Sequence, residues 1–123
     1  MNHTWGLNEL FQDDEKLIQH IQQKMFHYYD GKPLNLSDPI KPGGEFGLPL
    51  IVDKYVYGGE LKNGFFIEAG SQDAEFGSNT IHFEVSHNWS GLLVEAHPIW
   101  FSRGLTRHRH VTSINTCLGI QNK

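Results

Sequence analysis

The sequence predicts an α/β protein: three parallel strands with crossover helices, preceded by an N-terminal helix and a Pro/Gly-rich loop. Three observations predict it. Two apolar runs without polar alternation, FFIEA at 65–69 and GLLVEA at 91–96, suit strands buried on both faces. A β-branched segment, VTSINTCL at 111–118, reads as a third strand. Helical segments fall between these runs, and strand–helix alternation with short links argues for a parallel sheet with right-handed crossovers.

The elements follow in chain order. DDEKLIQHIQQKMFHYY, 13–29, carries a helical pattern, with Leu17, Ile18, Ile21, Met25 and Phe26 at steps of three and four. Asp13 or Asp14 caps its start, and Glu15 suits the positive N-terminal end. Asp30-Gly31 ends it, with Pro33 just beyond. Residues 30–49 hold four prolines and four glycines, the composition of a long loop. LIVDKYVY, 50–57, predicts a short helix. SNTIHFEVS, 78–86, reads as a helix with Ser78 as cap, although its apolar spacing also fits a strand. Pro98 suits the first turn of a helix over 98–105. Residues 1–63 thus form a helix and loop region, and 64–123 carry the strands.

The bulk numbers narrow the function. A chain of 123 residues makes one domain and buries roughly two thirds of its unfolded surface. The hydrophobic content of 38% fits a globular protein. A net charge of −4 supplies no basic field, so nucleic acid is not the expected partner. Arg103, Arg107 and Arg109 cluster near the C-terminus and read as a solvated helix end. The single cysteine, Cys117, excludes an intrachain disulfide and reads as a small core residue. No run of 18 apolar residues predicts a membrane span. MNHTWGLNEL does not read as a signal segment. The glycosylation sequons at Asn2, Asn35 and Asn88 are therefore read as chance.

In parallel sheets, ligands sit beyond the carboxyl ends of the strands. Glu68 and Glu95 end the first two strands, and Gly70 lets the backbone turn tightly. Glu95 follows Gly70 by 25 residues, near the spacing at which an acid reaches ribose hydroxyls. The full G-x-G-x-x-G fingerprint and the P-loop are both absent. A pyrophosphate cradle is therefore not expected, whereas a cationic or zwitterionic nucleoside such as S-adenosylmethionine suits an acid-lined turn. The plainer alternative is that both acids cap solvent-exposed strand ends.

NGFFIEAGSQDAEFGSNTIHFE, then WSGLLVEAHP, then SINTCL, resembles the FkbM-type methyltransferase domain, and within it the animal Star-like proteins. DDEKLIQHIQ and the SDP at 37–39 follow the same layout. The resemblance covers nearly the whole chain and is strongest over 64–118. It implies an S-adenosylmethionine-dependent methyltransferase of Rossmann-like fold. Glu68, Gly70, Ser71 and Asp73 match the first cofactor motif. Ser78, Asn79 and Thr80 match the segment opening the next helix, and Glu84 the acid closing it. Glu95 matches the ribose acid, with Ala96 and His97 beside it. Asn115 and Cys117 match the third-strand block near the adenine.

Two departures qualify the resemblance. The family has glycine after the aspartate, and here Ala74 stands. If that position needs positive φ, alanine costs roughly 1–2 kcal/mol. The family fold also continues beyond three strands, so the chain reads as a C-terminally incomplete copy. Its first strand, FFIEA, would then be an open edge prone to dimerisation.

Two function classes follow. One is O-methyl transfer from S-adenosylmethionine, with the proton-accepting base beyond residue 123. The other is a non-enzymatic Star-like protein, acting on membrane-protein cargo between the endoplasmic reticulum, Golgi and endosomes. Histidines add little at this level. His108-x-His110 is a pair and His82 and His87 lie five apart, but neither has the spacing that puts two rings on one helical face. No metal is expected. Trp89 and Trp100 read as core or rim packing.

Overall fold

The structure, a computed structural model, describes residues 9–37 and 44–119. The sequon at Asn2 and most of the SDP segment lie outside the described residues. The described residues divide into two compact units, one holding residues 9–26 and the other residues 27–37 and 44–118.

In the first unit, α1 spans Glu15–His20. Asp14 caps it, its carboxylate accepting the Lys16 N–H at 2.8 Å. A π-helical turn, Ile21–Met25, follows, and the chain is extended by Phe26 (ψ 131°). The helix expected over 13–29 is therefore shorter. It stops where four aromatic rings in a row, Phe26 to Tyr29, favour extended backbone over helix. None of its residues is buried.

A four-stranded sheet of order β1-β4-β3-β2 organises a mixed α/β layer. The strands are β1 (Phe26–His27), β2 (Phe65–Ala69), β3 (Ser90–Val94) and β4 (Thr112–Ile114). The helices are α2 (Leu48–Val56), α3 (Ile81–His87) and α4 (Pro98–Leu105). β2 pairs in parallel with β3, and β3 with β4, so Ile67 faces Leu92 and Val94 faces Ile114. β2 and α4 take the predicted bounds. Pro98 opens α4 because its fixed φ suits the first turn. α2 begins two residues before its predicted start, with Pro49 in its first turn.

Three expectations fail here. FFIEA is covered on one face only: Phe66 is buried, but Phe65 and Ile67 are about two thirds exposed (63% and 66%). β2 is the edge strand of the sheet, and its face that bears Phe65 and Ile67 is exposed. β4 covers three residues rather than eight, because after Ile114 the Asn115 side chain turns back to bond the carbonyls of Glu95 and Ala96. Cys117 lies in this irregular stretch and is exposed, so it is no core residue.

Phe66, Ala74, Phe83, Trp89, Leu93 and Val111 form the core, with Val52 of α2 packed against it. Gly91 is essential to that packing. A Cβ there would overlap the Phe66 ring and its carbonyl oxygen. Trp89 anchors one end of the core, donating its indole N–H to the Leu61 carbonyl at 2.8 Å.

Candidate functional site

The site grows from the carboxyl ends of β2 and β3. After Ala69, Gly70 takes φ +74°, a conformation that only glycine adopts freely. Its N–H and that of Ser71 both donate to the Val94 carbonyl (2.8 and 3.1 Å), tying the turn to β3. Gln72 (φ +50°) and Ala74 (φ +63°) are also left-handed. The condition attached to Ala74 is thus met: this position does take positive φ, and alanine carries the strain.

Glu68 is the hub of the next segment. Its Oε1 accepts the Asn79 N–H at 2.8 Å, and its Oε2 accepts the hydroxyls of Ser78 (2.9 Å) and Thr80 (2.8 Å). Ser78 therefore does not cap a helix from residue 78. α3 starts at Ile81, with Thr80 at its cap position and no side-chain capping bond.

Arg109 lies against the same cluster. It reads as part of a solvated helix end, yet it is 4% exposed. Its Nε donates to Glu84 Oε1 (3.0 Å), Nη1 to the Ala74 carbonyl (3.0 Å) and Ser78 Oγ (3.2 Å), and Nη2 to Thr80 Oγ1 (2.9 Å). Glu68 Oε2 lies 3.6 Å from Nη1. One guanidinium thus holds two acids, the left-handed Ala74 turn and the start of α3. Only its fixed fork of donors serves so many acceptors at once.

Glu95 sits just past β3 and is 8% exposed. Its Oε2 accepts the Gln72 N–H at 2.6 Å, and its Oε1 the His97 N–H at 2.8 Å. Each oxygen keeps a second lone pair, so the carboxylate retains acceptor capacity. Asp73 has a different task. Its Oδ1 accepts the N–H groups of Glu75 (3.0 Å) and Phe76 (2.8 Å), and its Oδ2 pairs with Arg107 at 3.1 Å. Partial burial opposes ionisation, but the Phe76 and Glu75 amides and the Arg107 charge outweigh it and hold the Asp73 carboxyl below its ordinary value. Arg107 also pairs with Glu75 at 3.0 Å.

Between these elements lies an open hollow of about 390 Å³, a size suited to a small ligand. Four of the expected residues, Glu68, Gly70, Ser71 and Asn79, line it, together with exposed Ile67 and Phe76. Asp73 and Glu95 brace the loop behind it. Ala96, His97, Asn115 and Cys117 are not among its lining residues.

Sequence reasoning missed two groupings. Arg109 is one. The other is Asp53, His82 and His87, where both imidazoles meet one carboxylate between α2 and α3. Local spacing shows only the His82 and His87 pair, because Asp53 lies 29 positions from His82 and Arg109 lies 25 from Glu84. The other histidine pair separates: His108 bonds Asp30 at 2.8 Å, and His110 lies against Tyr29 with ring centroids 4.1 Å apart. No helix among the described residues is long and apolar enough to cross a membrane.

Comparisons with protein-family models, curated proteins and solved structures return no match to this chain.

Proposed function

We propose that the chain is a Rossmann-like, FkbM-type methyltransferase domain that binds S-adenosylmethionine in the hollow beyond β2 and β3. One observation carries this reading: Glu68 and Gly70, singled out by their place in the sequence pattern, and Ser71 and Asn79, singled out by the resemblance, share one concave wall at the carboxyl edge of a parallel sheet. That edge is where parallel sheets receive nucleotides. Glu95, behind that wall, would hold the Gln72 turn in the shape that the ligand meets. Glu68 would shape the wall by holding Ser78, Asn79 and Thr80. In the complete reaction, a substrate hydroxyl oxygen attacks the sulfonium methyl in line, and the protein mainly supplies orientation. The test is calorimetry with S-adenosylmethionine, comparing the parent with Glu95→Gln. Micromolar binding that weakens about tenfold in the variant, a loss of about 1.4 kcal/mol, supports the reading. Equal affinity in both proteins sinks it.

A second reading is favoured by one feature of the same site. Both Glu95 oxygens already hold backbone amides, and the carboxylate is almost covered. A site so consumed suits a non-enzymatic, Star-like binding module acting on membrane-protein cargo in the endomembrane system. Cargo co-precipitation by protein that shows no S-adenosylmethionine binding selects this reading.

A further inference from the structure

The Asp53 carboxylate is held in an unusual way. His82 Nε2 and His87 Nε2 approach the same oxygen, Oδ2, at 2.7 and 2.6 Å. The other oxygen, Oδ1, is sealed from water and has no hydrogen-bond partner. Asp53 and His82 are 7% and 8% exposed, and the His87 side chain is 11% exposed. A buried carboxylate oxygen without a partner is costly.

The backbone explains how the three groups meet. His82 lies in the first turn of α3 and His87 closes the helix, five residues apart and so off a common helical face. Asn88, left-handed at φ +55°, then turns the chain away. Asp53 enters from α2, which packs against α3. Its carboxylate occupies the space between the two rings, whose centroids are 5.5 Å apart and nearly perpendicular. The donor atoms all lie within 4.8 Å of one another.

We propose that Asp53, His82 and His87 form a binding site for a divalent transition ion of the zinc type. Two imidazole nitrogens and a carboxylate are the donor set that borderline cations prefer. Bonds of about 2.0–2.2 Å in tetrahedral geometry separate ligand atoms by roughly 3.3 Å. Each histidine therefore retreats from Asp53 by about 0.6 Å, and the donor atoms, now spread over as much as 4.8 Å, close on one another around the ion. The ion replaces the two ring protons that now point at Oδ2. Those protons move to Nδ1, and in His82 that nitrogen lies 3.4 Å from Ser86 Oγ, an acceptor beside it. His87 Nδ1 lacks a partner with or without the ion. Oδ1, orphaned now, becomes the second oxygen of a chelating carboxylate. The bound ion would rivet α2 to α3. The site is separate from the hollow beyond β2, and its test does not depend on the methyltransferase reading.

The experiment is titration of untagged, chelator-treated chain with Co2+, followed by displacement with Zn2+. The expected result is one Co2+ per chain, with the intense visible absorption of a low-symmetry site, bleached by Zn2+. Ring-proton NMR should show His82 and His87 shifting, and His108 and His110 unchanged. Saturating Zn2+ at a hundredfold excess over Kd should raise the melting temperature on the order of 10 °C. His87→Gln, at the end of α3, should weaken binding at least tenfold, and Asp53→Asn likewise. His108→Gln should leave it intact. Co2+ that keeps the spectrum of the hydrated ion overturns the proposal. So does binding that survives His87→Gln but disappears in His108→Gln. If Asp53→Asn fails to fold, the ring-proton shifts of the parent protein decide.

Discussion

Arg109 Nε lies 3.0 Å from Glu84 Oε1, and water reaches only 1% of the arginine side chain and 5% of the glutamate's. A charge in that position is held only by its partners. Glu84, Glu68, Ser78, Thr80 and the Ala74 carbonyl all depend on the same guanidinium. Arg109→Met would leave two acids facing each other without a cation. Breaking a buried pair in this way costs about 3–5 kcal/mol. Urea unfolding should show a loss of stability of that size. Arg109→Lys should fail nearly as badly, since a single ammonium cannot span those acceptors. A shift under about 1 kcal/mol in either variant contradicts the network.

Ala74 offers the opposite experiment. Its φ of +63° strains an alanine by about 1–2 kcal/mol, while its buried methyl contributes about 0.8 kcal/mol of transfer energy. Ala74→Gly therefore gains up to about 1 kcal/mol, a rise of a few degrees in the melting temperature. Ala74→Val, branched at Cβ, should lower it clearly. A glycine variant that melts well below the parent would show that packing, not φ, governs this position.

Gly91 has no such latitude. Any Cβ there meets the Phe66 ring and the Phe66 carbonyl oxygen across the β2–β3 pair. Gly91→Ala should destabilise by about 1–3 kcal/mol through overpacking. Phe66→Leu relieves only the ring contact, so the double variant should recover part of the loss at most. Full recovery would place the conflict in the ring alone.

Asp73 gives the molecule an acid-sensitive joint. Its folded pKa lies below the ordinary value of 3.8, held down by the Phe76 and Glu75 amides and by Arg107 against the pull of partial burial. The unfolded chain therefore takes up the proton first as pH falls. The stabilisation is fully present above about pH 4 and disappears as pH drops through the depressed value. Asp73→Asn should be less stable than the parent at pH 7, and the gap should close toward pH 2. A gap that stays constant over this range would mean that Asp73 acts by shape alone.

Much of the architecture could be read from the chain, and particular residues show why. Pro98 marks the start of α4 because a proline tolerates only the first turn of a helix. FFIEA keeps its predicted bounds as β2 because Gly64 and Gly70 flank it. Its two-sided burial did not follow, since an apolar run carries no mark of which neighbours are present. The start of α3 was misplaced because Ser78, an ordinary cap residue, bonds Glu68 instead. Arg109 stands among histidines and polar residues and looks like surface. Its burial depends on Glu68, 41 positions away. Asp53 is likewise an ordinary helix residue until α3 brings two rings to it.

The grip of Glu68 on Ser78, Asn79 and Thr80 ties two events together. The wall of the hollow and the entry to α3 share one carboxylate, so neither can loosen without the other. Local fraying at that helix end would dissolve the cavity, and filling the cavity would quiet the fraying. Slowed deuteration of the Asn79 amide, whose proton already belongs to Glu68, would then register occupancy as reliably as a contact to the ligand itself.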